Sequence, residues 1–498
     1  VQRNETVYGI NTGFGPMCNT AISAEDTSKL QDNLLRSHSV GVGDPIPEQI
    51  AKLMLILKVH SLCFGFSGIH PNTLERMLWL IDSNIVPVVP KQGSVGASGD
   101  LAPLAHLALP LIGLGKVHCN GKIIESAKAL KQNGLEPIVL GPKEGLALIN
   151  GTQFIAAFAT HVASRLHNCL DSADIIGALS LEAMLGSGQP FKEKLHALRP
   201  HPGAQYVASR LRTLLKDSGL VASHSDCDRV QDPYSMRCMP QVHGASRDAW
   251  RHLNERVLCE INSVTDNPII FADETISGGN FHGEPLALPL DYACLAASEI
   301  GSISERRTYL MLEGKFGLPT LLMKDTGINS GFMIPQYTAA ALASENKTLC
   351  FPASADSIPT SIGQEDHVSM GSISGRKAYQ VLDNFYLAIS YDHRSSGDIW
   401  TFNPGLETWQ IKLQGVYKKL MVIDDLADRK HQCDVLLDQT YGRQVRNYQY
   451  LVPDSCHLLL GSKYSLLRPE FAKWREYSLK RRENPELKKL LITLGGAD

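Results

Sequence analysis

The chain lacks the cysteine and histidine spacings of a zinc ribbon or finger: its eleven cysteines are scattered singly, with no Cys-x-x-Cys. That pattern predicts no metal site and no disulfide framework. It suits reduced thiols used as small core residues in a cytoplasmic protein. Charge of one sign is also missing. Forty-eight Lys and Arg against fifty-one Asp and Glu leave −3, so nothing recommends nucleic acid or an anionic membrane surface as a partner. No apolar run is long enough to cross a bilayer, since the longest, residues 101–114, is broken by Pro103, His106 and Pro110. No signal peptide is legible, and the first residue is Val1 rather than Met. What remains is an ordinary globular composition, 43% hydrophobic, over 498 residues. Two to four domains, or one large helical body, are expected.

Residues 1–384 read as mainly helical. In "EQIAKLMLILKVHSLC" (48–63), Ile50, Leu53, Met54 and Leu57 form one stripe. "LDYACLAASEIGSISERRTYLML" (290–312) repeats the pattern through Ala296, Ile300, Ile303 and Leu310, and "PQYTAAALASENKTLC" (335–350) opens on a proline suited to a first helical turn. Long helices with small residues on their faces predict a bundle. Residues 385–412 carry no assignment. From 413 onward, short apolar runs ending in acidic residues or glycine predict buried parallel strands of an incomplete α/β, Rossmann-like fragment. The last such run stops at 495–498, where a loop and helix should follow, so the chain reads as severed at both ends.

Glycine is concentrated in "QGSVGASGDLAPLAHLALPLIGLG" (92–115), at 93, 96 and 99, with Ser98 between the last two. The familiar glycine-rich devices do not fit. A phosphate-binding loop needs Gly-Lys-Ser/Thr, and Asp100 follows Gly99; a nucleophile elbow needs glycine where Asp100 stands. The spacing G-x-x-G-x-x-G is not that of a dinucleotide fingerprint. By itself the segment is a tight loop beside a core helix.

Polar clusters recur in the loops of the helical part: "VYGINTGFG" with Tyr8, "RSHSVGVG" with His38, "ALINGTQ" with Asn150, "QDPYSMRC" with Gln231, Tyr234 and Arg237, "SGGNFHGEP" with Phe281, and "GQEDHVSMG" with Glu365. Singly, each has a blander reading: a core tyrosine, a paired arginine, an Asn-Gly turn, a hydrogen-bonded histidine. In this order, and together with Ala97-Ser98-Gly99, they resemble the aromatic amino acid ammonia-lyase family, above all its histidine-specific branch, over nearly all of 1–384.

The resemblance implies an ammonia-lyase bundle with a smaller loop-rich N-terminal region. It implies that Ala97, Ser98 and Gly99 condense into a 4-methylideneimidazole-5-one (MIO) electrophile, with no external cofactor. Tyr8 would remove the β-proton, Arg237 would hold the substrate carboxylate, and Tyr234 and Asn150 would position substrate and polarise the ring. Gln231 and Phe281 would pack around it, while His38 and Glu365 would contact an imidazole side chain. The expected reaction is L-histidine to urocanate in a homotetramer whose sites draw residues from three subunits. Tyrosine or phenylalanine ammonia-lyase and aminomutase activity stand as alternatives, because the catalytic set is shared.

In the tail, "MVIDDLADRKHQCDVLLDQ", "LLLGSKYSLLRPEF" and "LLITLGGAD" resemble the middle of the nucleotide-sugar hydrolases of pseudaminic acid biosynthesis. That family's histidine-bearing start is absent, so no catalytic residue is carried over. Alternatives of another class are a catalytically inactive fusion and a sugar-nucleotide hydrolase acting through the tail.

Overall fold

The computed structural model describes residues 10–401 and 421–461, apart from 14–16, 18, 21, 24–25, 225–227, 324–326, 424–426, 428–429, 439 and 441. The chain divides into two compact units, Val1–Ile399 and Trp400–Asp498.

In the first unit the periodic stretches are helices. The Glu48–Cys63 helix buries Ile50, Met54 and Leu57 of the expected stripe, and Leu62 beyond it, while Leu53 is only partly buried. The 290–312 pattern belongs to a longer helix, Glu284–Leu312, which starts earlier and contains Pro289. The alanine-rich stretch forms Met333–Leu349, so Pro335 stands inside the first turn rather than opening it. The Met239–Ile261 helix packs against Gln153–Ala183, Pro202–Leu214 and Glu284–Leu312, and the last of these also packs against Met333–Leu349. Glu284–Leu312 is long and apolar enough to cross a membrane by composition, yet 67% of its most apolar window is buried inside the bundle. One hydrophobic core joins Leu35, Met54 and Leu104 of the N-terminal region to Phe154, Phe158, Leu290, Ile300 and Phe385 of the long helices.

Two buried ionic clusters tie these helices together. Asp392 accepts from Arg307 Nε at 2.8 Å, Ser304 Oγ at 2.6 Å and Ser180 Oγ at 2.7 Å. Asp174 meets His243 Nδ1 at 2.8 Å and the guanidinium of Arg247 at 2.5 Å. Burial pushes Asp174 up, but these two partners outweigh it and hold the carboxyl below its usual range. The boundary expected at 384 falls inside the Gly371–Thr401 helix. Because Asp392 is the acceptor for Arg307, the bundle's buried interactions continue past that boundary.

The loop-rich N-terminal region carries small sheets. Val42–Pro45 pairs antiparallel with Pro90–Gln92, bringing the chain to the start of the glycine-rich segment. After that segment the Leu101–Ala108 helix and a 3-10 turn, Leu109–Ile112, bury nearly every side chain.

The second unit contains a sheet of three parallel strands. Val435–Asp438 lies between Met421–Ile423 and His457–Leu460. Asp438, at the end of the middle strand, is buried and accepts from Tyr448 Oη at 2.8 Å and Thr440 N at 2.9 Å, with Arg443 beside it.

Candidate active site

The glycine-rich segment is a compressed turn. Gly93, Gly96 and Gly99 all have positive φ, of 131°, 86° and 79°, and so does Ser98, at 49°. A side-chain-bearing residue at φ 49° is uncommon and costs energy. Gly99 pairs with Gly151 in an isolated parallel bridge: Asp100 N donates to Gly151 O at 2.7 Å, and Gly151 N donates to Ser98 O at 3.3 Å. A Cβ at position 99 would lie 2.1 Å from Gly151 O, so only glycine fits against that backbone.

Four other segments converge on the turn. Asn150 follows the Glu144–Ile149 helix and is buried, its Oδ1 without a hydrogen-bond partner among the described residues. Glu365 brings Oε1 to 3.5 Å from Ser98 Oγ, the outer limit of a hydrogen bond. Its other oxygen accepts from Ser361 Oγ at 2.6 Å and Thr360 Oγ1 at 3.0 Å, which fixes the carboxylate. The strand of chain beyond Glu365 is tied to the glycine-rich loop, since Met370 N donates to Val95 O and Ser372 Oγ to Ser94 O. The turn holding half-buried Phe281 joins them, because His282 Nε2 donates to His367 O at 3.2 Å.

His38 is the last residue of the Thr27–His38 helix, not a loop residue as the sequence reading had it. Its Nδ1 lies 2.9 Å from Leu34 O, so the neutral ring carries its proton there and leaves Nε2 as an acceptor. Burial holds the His38 ring below its ordinary pKa, against the raising effects of the Leu34 carbonyl and of Glu365. Glu365 therefore stands beside Ser98 and is near enough to His38 for its charge to act on the ring.

The remaining expected residues stand elsewhere on the chain. Tyr234 and Arg237 lie on a one-turn helix, Tyr234–Arg237, rather than in a loop, and it packs on the long bundle helices. Tyr234 is 71% exposed, with the Arg237 guanidinium carbon 4.6 Å from its ring centre. Arg237 Nε is buried and has no hydrogen-bond partner among the described residues. Gln231 is exposed beside them. Tyr8 lies outside the described residues. An apolar cavity of about 350 Å³, lined by Phe66, Ile269, Phe271 and Ile276, contains none of the expected site residues.

Beneath the turn lies a buried ionisable cluster that the sequence reading did not single out. Asp100 accepts from Ile155 N at 2.9 Å and from Ser94 Oγ at 3.3 Å. Burial pushes its carboxyl up to about 7, against the pull of those donors. Lys58 donates to Asn150 O at 2.6 Å. Burial brings its ammonium down to about 8, opposed by Asp266 and Asp100 and reinforced by Lys143. The sequence did carry a signal for Lys58: it follows Met54 by one helical turn, on the apolar stripe of its helix.

Comparison with known proteins gives a consistent result. The profile of the family described as aromatic amino acid lyase matches residues 1–393. The chain is 50% identical over 389 residues to histidine ammonia-lyase of Streptococcus sanguinis (strain SK36), covering 77% of this chain and 75% of that one. The crystal structure of histidine ammonia-lyase from Trypanosoma cruzi superposes with a TM-score of 0.74 at 42% identity, covering 83% of this chain and 79% of that one. Tyrosine aminomutase from Streptomyces globisporus superposes with a TM-score of 0.78 at 35% identity, covering 84% of each chain.

Proposed function

The chain belongs to the aromatic amino acid lyase family and is a carbon–nitrogen lyase of the histidine ammonia-lyase type; from that premise we propose that it eliminates ammonia from L-histidine to give urocanate, using an MIO ring made from Ala97, Ser98 and Gly99. The observation that carries this reading is Glu365 standing beside Ser98, with its charge acting on His38, on a backbone turn already compressed at Ser98 and Gly99. The residues fit the ring. Gly99 has no side chain to block closure against Gly151, and the unpartnered Asn150 Oδ1 is a buried polar atom beside it.

Once formed, the ring supplies the electrophile that turns the substrate's amino group into a better leaving group. The chain's own residues do the rest. Nε2 of neutral His38 is an acceptor, and Glu365 offers carboxylate oxygens held by Ser361 and Thr360. An imidazole N–H can bond to these groups, whereas a phenyl ring would leave them desolvated and unpaired. Arg237 would take the substrate carboxylate in a two-pronged contact. Tyr8 is the proposed base for the β-proton, and neighbouring donors or positive charge would have to favour its phenolate. Tyr234 and Asn150 would align substrate and ring, with Gln231 and Phe281 completing the walls.

An assembly of several copies would account for this division of labour. Tyr234 and Gln231 are exposed on the subunit that bears the turn, and Leu288, Tyr292 and Leu295 leave an apolar stripe on the Glu284–Leu312 helix 57%, 48% and 53% exposed. A cytoplasmic homotetramer that covers such stripes and brings one subunit's Tyr234 and Arg237 to another's Ser98 is the proposed state. In the tail, three parallel strands lie within the stretch expected to form an α/β fragment; the likeness to nucleotide-sugar hydrolases rests on the sequence strings alone, and no site is assigned there.

The test is to incubate the purified protein separately with L-histidine, L-tyrosine and L-phenylalanine, following the conjugated acid by absorbance and any β-amino acid by chromatography. Urocanate from histidine is expected. Coumarate from tyrosine, or a β-amino acid, with no urocanate would overturn the substrate assignment. Ser98→Ala should retain the mass of the open peptide and lose turnover; a fully active Ser98→Ala would refute the ring.

A further inference from the structure

Lys58 is 2% exposed, in the middle of an otherwise apolar helical stripe. Burying an ammonium carries a desolvation cost of several kcal/mol unless its donors are met. The neighbouring buried lysine is paired in the usual way: Lys143 Nζ lies 2.7 Å from Asp266 Oδ2. Lys58 instead donates at 2.6 Å to a main-chain carbonyl, that of Asn150. That carbonyl leads directly into Gly151, whose N–H and C=O grip Ser98 O and Asp100 N on either side of Gly99. The charge is thus used to hold one particular piece of backbone.

Resting on the reading that the tripeptide cyclises, we propose that Lys58 is a positioning residue for ring closure: its ammonium pins the Asn150 carbonyl and so presses Gly151 against Ser98-Gly99. In that closure the Gly99 nitrogen bonds to the Ala97 carbonyl carbon. One water leaves with the former Ala97 carbonyl oxygen, taking the Gly99 N–H and Ser98 N–H hydrogens. A second leaves with the Ser98 hydroxyl and the Ser98 Cα hydrogen. No oxidant or reductant is required. Lys58 touches none of the bonds that change. It acts through Gly151, which resists relaxation of the turn while Gly99 N approaches Ala97. Asp266 and Asp100 oppose the loss of charge that burial imposes on the ammonium, while Lys143, paired with Asp266, adds to it.

The experiment uses the full chain and intact mass, which reads ring formation without reference to activity. Wild-type protein should show the loss of two waters in every chain. Lys58→Met fills the same space without the charge or the donors. It should elute and unfold like wild type but carry mostly open peptide, with ring closure slowed about tenfold or more, as loss of a hydrogen bond to a charged group implies. A merely structural lysine would do the reverse, lowering the unfolding temperature while every chain still closes. Lys58→Gln, shorter and neutral but still polar, is the second variant should the Met chain not fold; it should give a mixture of open and closed masses. Complete closure in a folded Met or Gln variant overturns the role of Lys58. Open peptide in the wild type overturns the underlying reading instead.

Discussion

Asp392 offers the most quantitative test of how the bundle is held. Its carboxylate and the Arg307 guanidinium are both fully buried, with Nε 2.8 Å from Oδ2. The same carboxylate accepts from Ser304 and Ser180, so one side chain links three long helices. Replacing it with alanine leaves Arg307 buried, with the Ser235 carbonyl at 3.3 Å and Ser304 Oγ at 3.0 Å as its remaining partners. Breaking a buried pair from one side costs about 3–5 kcal/mol. Two hydroxyls that lose their acceptor add about 1 kcal/mol each where water does not enter. The sum, about 5–7 kcal/mol, approaches the whole stability of an ordinary domain, about 5–15 kcal/mol. Asp392→Ala should therefore fail to accumulate as folded protein, while Asp392→Asn, which keeps an acceptor, should fold with a reduced urea midpoint. Urea unfolding followed by circular dichroism at fixed protein concentration measures both, since assembly of the proposed kind would make the midpoint concentration-dependent. An alanine variant within about 1 kcal/mol of wild type would refute the claim that this contact anchors the bundle.

Two further outcomes test the site. Asp100, raised by burial to about 7, binds its proton more tightly in the folded chain than in the unfolded one. Stability from this group is therefore fully present below the usual carboxylate range and is lost as pH rises towards 7, by roughly 4 kcal/mol at most. Asp100→Asn should gain stability relative to wild type between pH 5 and pH 8 in urea unfolding, and a difference that does not change with pH would contradict the buried-carboxyl account. Arg237→Lys keeps the charge but loses the planar two-donor fork, so KM for histidine should rise about tenfold or more; an unchanged KM would remove Arg237 from carboxylate binding.

The helices were legible from periodicity because burial on one face repeats every three to four residues: Ile50, Met54 and Leu57 announced their helix and its buried side. The glycines at 93, 96 and 99 by themselves announced only a tight loop; the Ala-Ser-Gly tripeptide stood out through the resemblance carried by the other segments. Ends were less legible. The Gly371–Thr401 helix runs through the expected boundary because what holds it is Asp392 meeting Arg307, a contact between residues far apart in the chain that local pattern does not encode.

Within the site, the resemblance to the family supplied the candidate residues and their proposed roles, since each of them taken singly had a blander reading. Which of them meet in one subunit was decided by tertiary structure. Glu365 reaches Ser98 because the chain after it is bonded to Ser94 and Val95, whereas Tyr234 and Arg237 sit on a separate short helix against the bundle, Tyr234 exposed and Arg237 partly buried. Lys58 and Asp100 show the same division. Their identities were plain in the sequence, but their buried charge acquires a role only where folding brings Asn150 and Gly151 against the turn.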